Sequence, residues 1–150
     1  WDVNAVFYAA DVPSLQPSAL VGLPAEDLPR LNLTLLPAIR LCASPYPLDR
    51  IWRTSQPDAD PEERVDLAEG GVALMVARRN GDVAWHRLEA TEYAFLAALD
   101  LGMPVEQAHE RALSVGEFDL VVSLSRHLST GTFVRFHLHE QSERNEPCTP

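Results

Sequence analysis

A mixed α+β fold is predicted by three features of the chain. An Asn-Gly pair, Asn80-Gly81, sits between two alternating apolar runs. Three amphipathic stretches of helical period follow it, separated by Gly102 and Gly116. A last alternating run, residues 133–139, closes the pattern. The order hairpin, three short helices, strand is that of a winged-helix-like module. Short helices and an edge strand precede it.

Taken in order, Trp1, Ala5, Val6, Ala9 and Ala10 recur at helical spacing, and Asp11-Val12-Pro13 stops the run. Pro17-Ser18 and Pro24-Ala25 read as two short helix starts, with Glu26 and Asp27 favourably placed in a first turn. A period of two follows, with Leu31, Leu33, Leu35, Ile39 and Leu41 on one face and Asn32, Thr34, Arg40 and Cys42 on the other. Pro37 interrupts it, which predicts an edge strand or a bulge. Pro45-Tyr46-Pro47 turns the chain into a short helix over 48–56 containing Ile51-Trp52-Arg53.

Residues 57–70 carry six acids, one base and two prolines, and read as an exposed acidic loop. In the hairpin, Val72, Leu74 and Val76 alternate with smaller residues, and Val83 and Trp85 do so beyond the turn. Thr91 is the expected N-cap of the first module helix, with Phe95, Leu96 and Leu99 facing inward. Pro104 opens the second helix, where Val105, Ala108 and Ala112 share a face. The third runs from about Glu117 to Ser129, with Phe118, Val121, Val122, Ser125 and Leu128 in one stripe. In the last strand Val134, Phe136 and Leu138 point one way, and Phe133, Arg135, His137 and His139 the other. The expected organisation is therefore a helical and edge-strand segment (1–56) packed on the module, the acidic loop (57–70), the module (71–139) and a polar tail (140–150).

The chain has 150 residues, 46% apolar and 23% charged, enough for one domain with a real core. Its opening at Trp1 reads as a domain-sized piece of a longer chain. It carries 22 acids and 12 bases for a net charge of -10, and every base is arginine. That sign disfavours generic binding to nucleic acid or anionic membranes. No apolar run reaches the roughly 18 residues of a membrane span. Two cysteines, Cys42 and Cys148, make no disulfide framework and fit a reducing, cytoplasmic setting.

No nucleophile elbow, phosphate loop, dinucleotide fingerprint or zinc-protease motif is present, so the reading is non-catalytic, without cofactor or metal. His137 and His139 would share a strand face within reach of one metal ion, but Arg135 on that face opposes a cation. Cys148 lacks a neighbouring ligand, and Cys42 lacks a nearby histidine. A DNA reader would use the third helix, with Arg78 and Arg79 at the wing tip touching phosphate. Glu117 and Asp119, however, occupy the end that would approach the bases. Capture of an extended peptide between a sheet edge and that helix fits the charge better.

Several blocks resemble the C-terminal domain of the HvfC/BufC family. They are the opening Trp1, Ala5, Ala9, Ala10 and Val12, the stretch LNLTLLPAIRLCASPYPLDRIWRTSQ (31–56), and VDLAEGGVALMVARRNGDVAWHRLEATEYAFLAALDLGMPVEQA (65–108). The likeness extends to about residue 130. Its most specific pieces are Ile51-Trp52-Arg53 and Leu88-x-x-x-Glu92-x-x-Phe95-Leu96-x-x-Leu99-x-x-Gly102. The resemblance implies a partner protein, like the methanobactin-pathway subunit MbnC, that forms a heterodimer with a multinuclear-iron TIM-barrel enzyme. Such a chaperone holds the leader of a ribosomally made precursor peptide by strand addition while the enzyme modifies its core. The family's older DNA-binding label belongs to an N-terminal helical domain that this sequence does not include. On this reading the peptide groove is expected at Val83, Trp85 and Arg87 with Val122 and Arg126. The enzyme-facing side is expected at Trp52 and Arg53. A winged-helix transcriptional regulator is the alternative.

Overall fold

The structure, a computed structural model, describes residues 6–60, 62–79 and 81–139. The expectations resting on Trp1, Ala5, Asn80 and the tail with Cys148 lie outside them. The chain folds as α+β: β1 (Leu31–Leu35), β2 (Ile39–Ser44), α1 (Leu48–Thr54), β3 (Val72–Arg79), β4 (Asp82–Leu88), α2 (Ala90–Asp100), α3 (Val105–Leu113), α4 (Leu120–Ser129) and β5 (Phe133–Leu138). The proline-led starts at 17 and 24 become 3₁₀ turns, Pro17–Leu20 and Ala25–Arg30.

Pro37 does more than interrupt a strand. It sits in a tight turn closed by the Ile39 amide on the Leu36 carbonyl at 2.9 Å, and divides the alternating run between two sheets. β1 pairs antiparallel with β5, and β2 pairs antiparallel with β3 in a sheet ordered β2-β3-β4. Both are edge strands, as a proline-broken run predicts. Residues 31–44 are therefore built into the same sheets as the hairpin and the last strand.

Two side-chain patterns depart from the expected alternation. In β5 the register slips between Thr34 and Leu35, leaving Val134 as the extra residue of a bulge. The bulge reverses the alternation, so Phe133 leaves the polar face and is fully buried in the core with Phe136 packed nearby. In β3 there is no polar face at its centre. Met75 and Ala77 join the main core with Ile39, Phe95, Leu96 and Leu99, while Leu74 and Val76 are equally buried on the opposite face. By register that second face also carries Trp85 and Arg87, and it lies toward α1. The Trp52 and Trp85 rings stack there at 5.2 Å.

The third module helix is rotated from its expected phase. Asp119 caps it, accepting the Val122 amide at 3.0 Å, so the helix begins at Leu120. The inward face becomes Leu120, Ser123, Leu124, His127 and Leu128, whereas Val121 and Val122 are 73% and 55% exposed and Ser125 is also exposed. An apolar stripe loses to a stripe with two polar members because His127 finds buried partners, described below. α2 likewise starts at Ala90, with Glu89 rather than Thr91 at the N-cap. Phe95, Leu96 and Leu99 face inward as expected, as do Val105, Ala108 and Ala112.

The acidic stretch 57–70 is mostly exposed, yet two of its acids hold α1: Glu69 binds Arg50, and Glu63 binds Arg50 and Arg53. Where this loop meets β3, Gly71 passes directly against the β2 end. A Cβ there would lie 2.4 Å from the Ser44 carbonyl oxygen and 3.1 Å from Pro45 Cα, both backbone atoms. Gly71→Ala should therefore cost about 1–3 kcal/mol through forced displacement of the β2–β3 pairing. Urea unfolding checks this, and an unchanged midpoint would contradict the close approach.

Candidate functional site

The hairpin turn leaves β4 on the outside of its sheet. Among the described residues no strand pairs with its outer edge, so its outward main-chain donors and acceptors are open to an added strand. Beside that edge runs a cleft of about 370 Å³ between β4 and α4. Its strand side is formed by Ala84, His86 and Leu88 with Met75 and Arg79 of β3, and its helical side by Glu92, Arg126, His127 and Thr130. A second hollow of about 300 Å³, which includes Arg78, Ala38 and Gly131, meets it at Arg79 and Thr130.

A buried polar chain forms the floor. His127 Nε2 lies 3.0 Å from a Glu92 carboxylate oxygen, and its Nδ1 lies 3.1 Å from the Thr132 hydroxyl. Arg126, mostly exposed, reaches the same carboxylate at 3.0 Å. With its proton on Nε2 the imidazole donates to Glu92 and accepts from Thr132. The His127 hydrogen bond holds the Glu92 carboxyl below the usual carboxylate range. Burial opposes this, and electrostatic attraction to His127 and Arg126 assists it. The trio has the composition of a nucleophilic relay, but Thr132 is fully buried and His127 nearly so. Its hydroxyl meets no substrate-sized space, so the chain is a tie between α2, α4 and the start of β5.

The expected peptide-groove residues do not share one surface. Val83, Trp85 and Arg87 occupy the β4 face that looks toward α1. There Arg87 forms a two-pronged ion pair with Asp49, at 2.6 and 3.0 Å, and its hydrogen bond is the main cause of a lowered Asp49 pKa. Val122 stands on the outer side of α4, and only Arg87 and Arg126 of the five border the cleft. The alternate residues Ala84, His86 and Leu88 line it instead. Sequence alternation did not separate the two faces because β3 is apolar on both. The Glu92–His127 pair, 35 positions apart, has no local spacing signal. A histidine and a serine inside an apolar helical stripe were the available clue.

Trp52 is half-buried on Trp85, while Arg53 is exposed and bound to Glu63. Both border a hollow of about 500 Å³ that also takes in Asp58 and Asp60. His137 and His139 are exposed, and among the described residues no group of three or more His, Cys, Asp or Glu is placed to hold a metal ion. Cys42 is half-buried on β2, opposite Leu74. Arg78, expected at the wing tip, is only 14% exposed because it turns inward onto the Ala9 carbonyl and Asp11. No described helix is long and apolar enough to cross a membrane. Comparison with protein-family models, curated proteins and solved structures returns no significant match.

Proposed function

We propose that this chain is a non-catalytic recognition module that captures an extended segment of a precursor peptide along β4. It then presents that peptide to an iron-dependent TIM-barrel modifying enzyme, as its resemblance to the HvfC/BufC family implies, in a cytoplasmic heterodimer. The observation that carries the peptide-binding part is the open outer edge of β4 beside the cleft under α4. A strand added there gains main-chain hydrogen bonds from the edge, and alternate side chains enter the cleft. The surface bordered by Trp52 and Arg53 is the proposed side for the enzyme.

The alternative, a winged-helix DNA reader, draws less support. Asp119 caps the N-terminus of α4, Glu117 precedes it, and Arg78 is held inside by Asp11. These features leave few cations where phosphate would approach.

The test is calorimetry with the precursor peptide and with the iron-loaded barrel enzyme. Ala84→Trp, which fills the cleft from a half-buried position, should weaken peptide binding by more than about tenfold. Its melting temperature should stay within a few degrees of the parent. No heat of binding to either partner would overturn the proposal.

A further inference from the structure

We infer that the segment captured along β4 is acidic, with carboxylate side chains on the face it turns to the cleft. This inference rests on the strand-capture reading and adds the chemical class of the ligand. The reason is a local reversal of charge. The chain as a whole carries a net charge of -10, yet the cleft is lined by three arginines, Arg79, Arg87 and Arg126, against one carboxylate, with the imidazoles of His86 and His127 as further polar groups. That carboxylate, Glu92, is already engaged by His127 and Arg126. Arg87 is held by Asp49 at the α1 side. Arg79 and His86 are exposed, and among the described residues no ion pair engages either; Asp82 faces Arg79 across the hairpin register but does not reach it as an ion pair.

Side chains of an added strand that point to one face recur every second residue, about 6.6–6.8 Å apart. His86 and Arg79 lie on the same sheet face, on neighbouring strands four register positions apart, with Ala84 between them on that face. On a strand with carboxylates at alternate positions, two of them four residues apart therefore fall beside the His86 imidazole and the Arg79 guanidinium, with the Arg126 guanidinium opposite on the helix. An acidic surface elsewhere repels the same ligand, so it is attracted only at this cleft. A basic segment meets the opposite field: attraction over most of the surface and repulsion at the edge where it must dock.

The experiment uses three fluorescein-labelled seven-residue peptides, matched to the length of β4. One alternates valine with glutamate, one alternates valine with lysine, and the third is the glutamate peptide N-methylated at alternate residues. Fluorescence anisotropy against the full chain is expected to show binding of the first only. Raising salt from about 0.01 M to about 1 M shrinks the Debye length from about 30 Å to about 3 Å and should weaken that binding at least tenfold. The double variant R79E/H86E should weaken it at least tenfold too, with an unchanged far-ultraviolet circular dichroism melt. Equal binding of the lysine peptide, with N-methylation still abolishing it, would overturn the acidic ligand and leave strand capture standing. Undiminished binding of the N-methylated peptide would overturn strand capture itself, and binding of none of the three would overturn both.

Discussion

Phe95→Ala should lower the unfolding free energy by about 3–5 kcal/mol, among the largest effects expected of a single truncation. Phe95 is fully buried at the middle of α2, its ring 5.0 Å from Phe118 in the approach to α4. Leu96, Leu99, Ala108 and Ala112 close the surrounding core between α2 and α3, and Met75 and Ile39 carry it to the sheet. Removing the ring withdraws apolar surface from burial and leaves a void that rigid helical backbones cannot fill. Urea unfolding followed by circular dichroism reads the effect. Phe95→Leu, which retains most of the volume, should recover more than half of it. A loss below about 1 kcal/mol for alanine would mean that this helix face is not the centre of the core.

Glu92→Leu should cost about 3 kcal/mol, because it strands a buried imidazole, while the mostly exposed Arg126 is left to water. His127 Nε2 loses its acceptor inside the protein, and Arg126 loses the carboxylate it folds back upon. The pH dependence separates this from a packing defect. Glu92 has a lower pKa in the folded chain than when unfolded, so it stabilises the fold fully above its ordinary value of about 4.5. That contribution is lost as the pH falls through the lower, folded-state value. The parent protein should therefore shed stability on acidification below about pH 4.5, and Glu92→Leu should show a shallower acid slope while being less stable at pH 7. In the double variant with His127→Phe the two losses should fall short of additive by more than about 1 kcal/mol, since each single change already orphans the other group. Parallel acid curves for parent and Glu92→Leu would show that the carboxylate titrates as a free surface group.

Much of the fold was legible because local chemistry and tertiary demand agree at particular residues. The pairing of β3 with β4, the helix end at Gly102 and the buried trio Val105, Ala108 and Ala112 follow from backbone preference and period alone. The misread positions are those where a distant partner decides. α4 turns His127 and Ser123 inward, instead of Val121 and Val122, because Glu92 and Thr132 wait for the imidazole. Phe133 is buried because a bulge at Val134 accommodates the approach to β1. The candidate cleft was legible as a place, a strand edge beside the last helix. Its residues were not, since choosing Ala84, His86 and Leu88 over Val83, Trp85 and Arg87 requires knowing that α1 covers one face of the sheet.

The pairing of β1 with β5 orders events in time. Leu31 meets Leu138, so this sheet joins nearly opposite ends of the described chain, whereas β3 and β4 are joined by a tight turn. The entropy of closing so long a loop places the hairpin early in folding and the β1–β5 sheet late. Until β5 arrives, β1 waits with Leu31, Leu33 and Leu35 and an unsatisfied edge. On a ribosome that interval lasts for the synthesis of roughly a hundred residues, several seconds at usual rates. Residues 31–35 are thus the stretch of this chain most in need of shelter while it is being made.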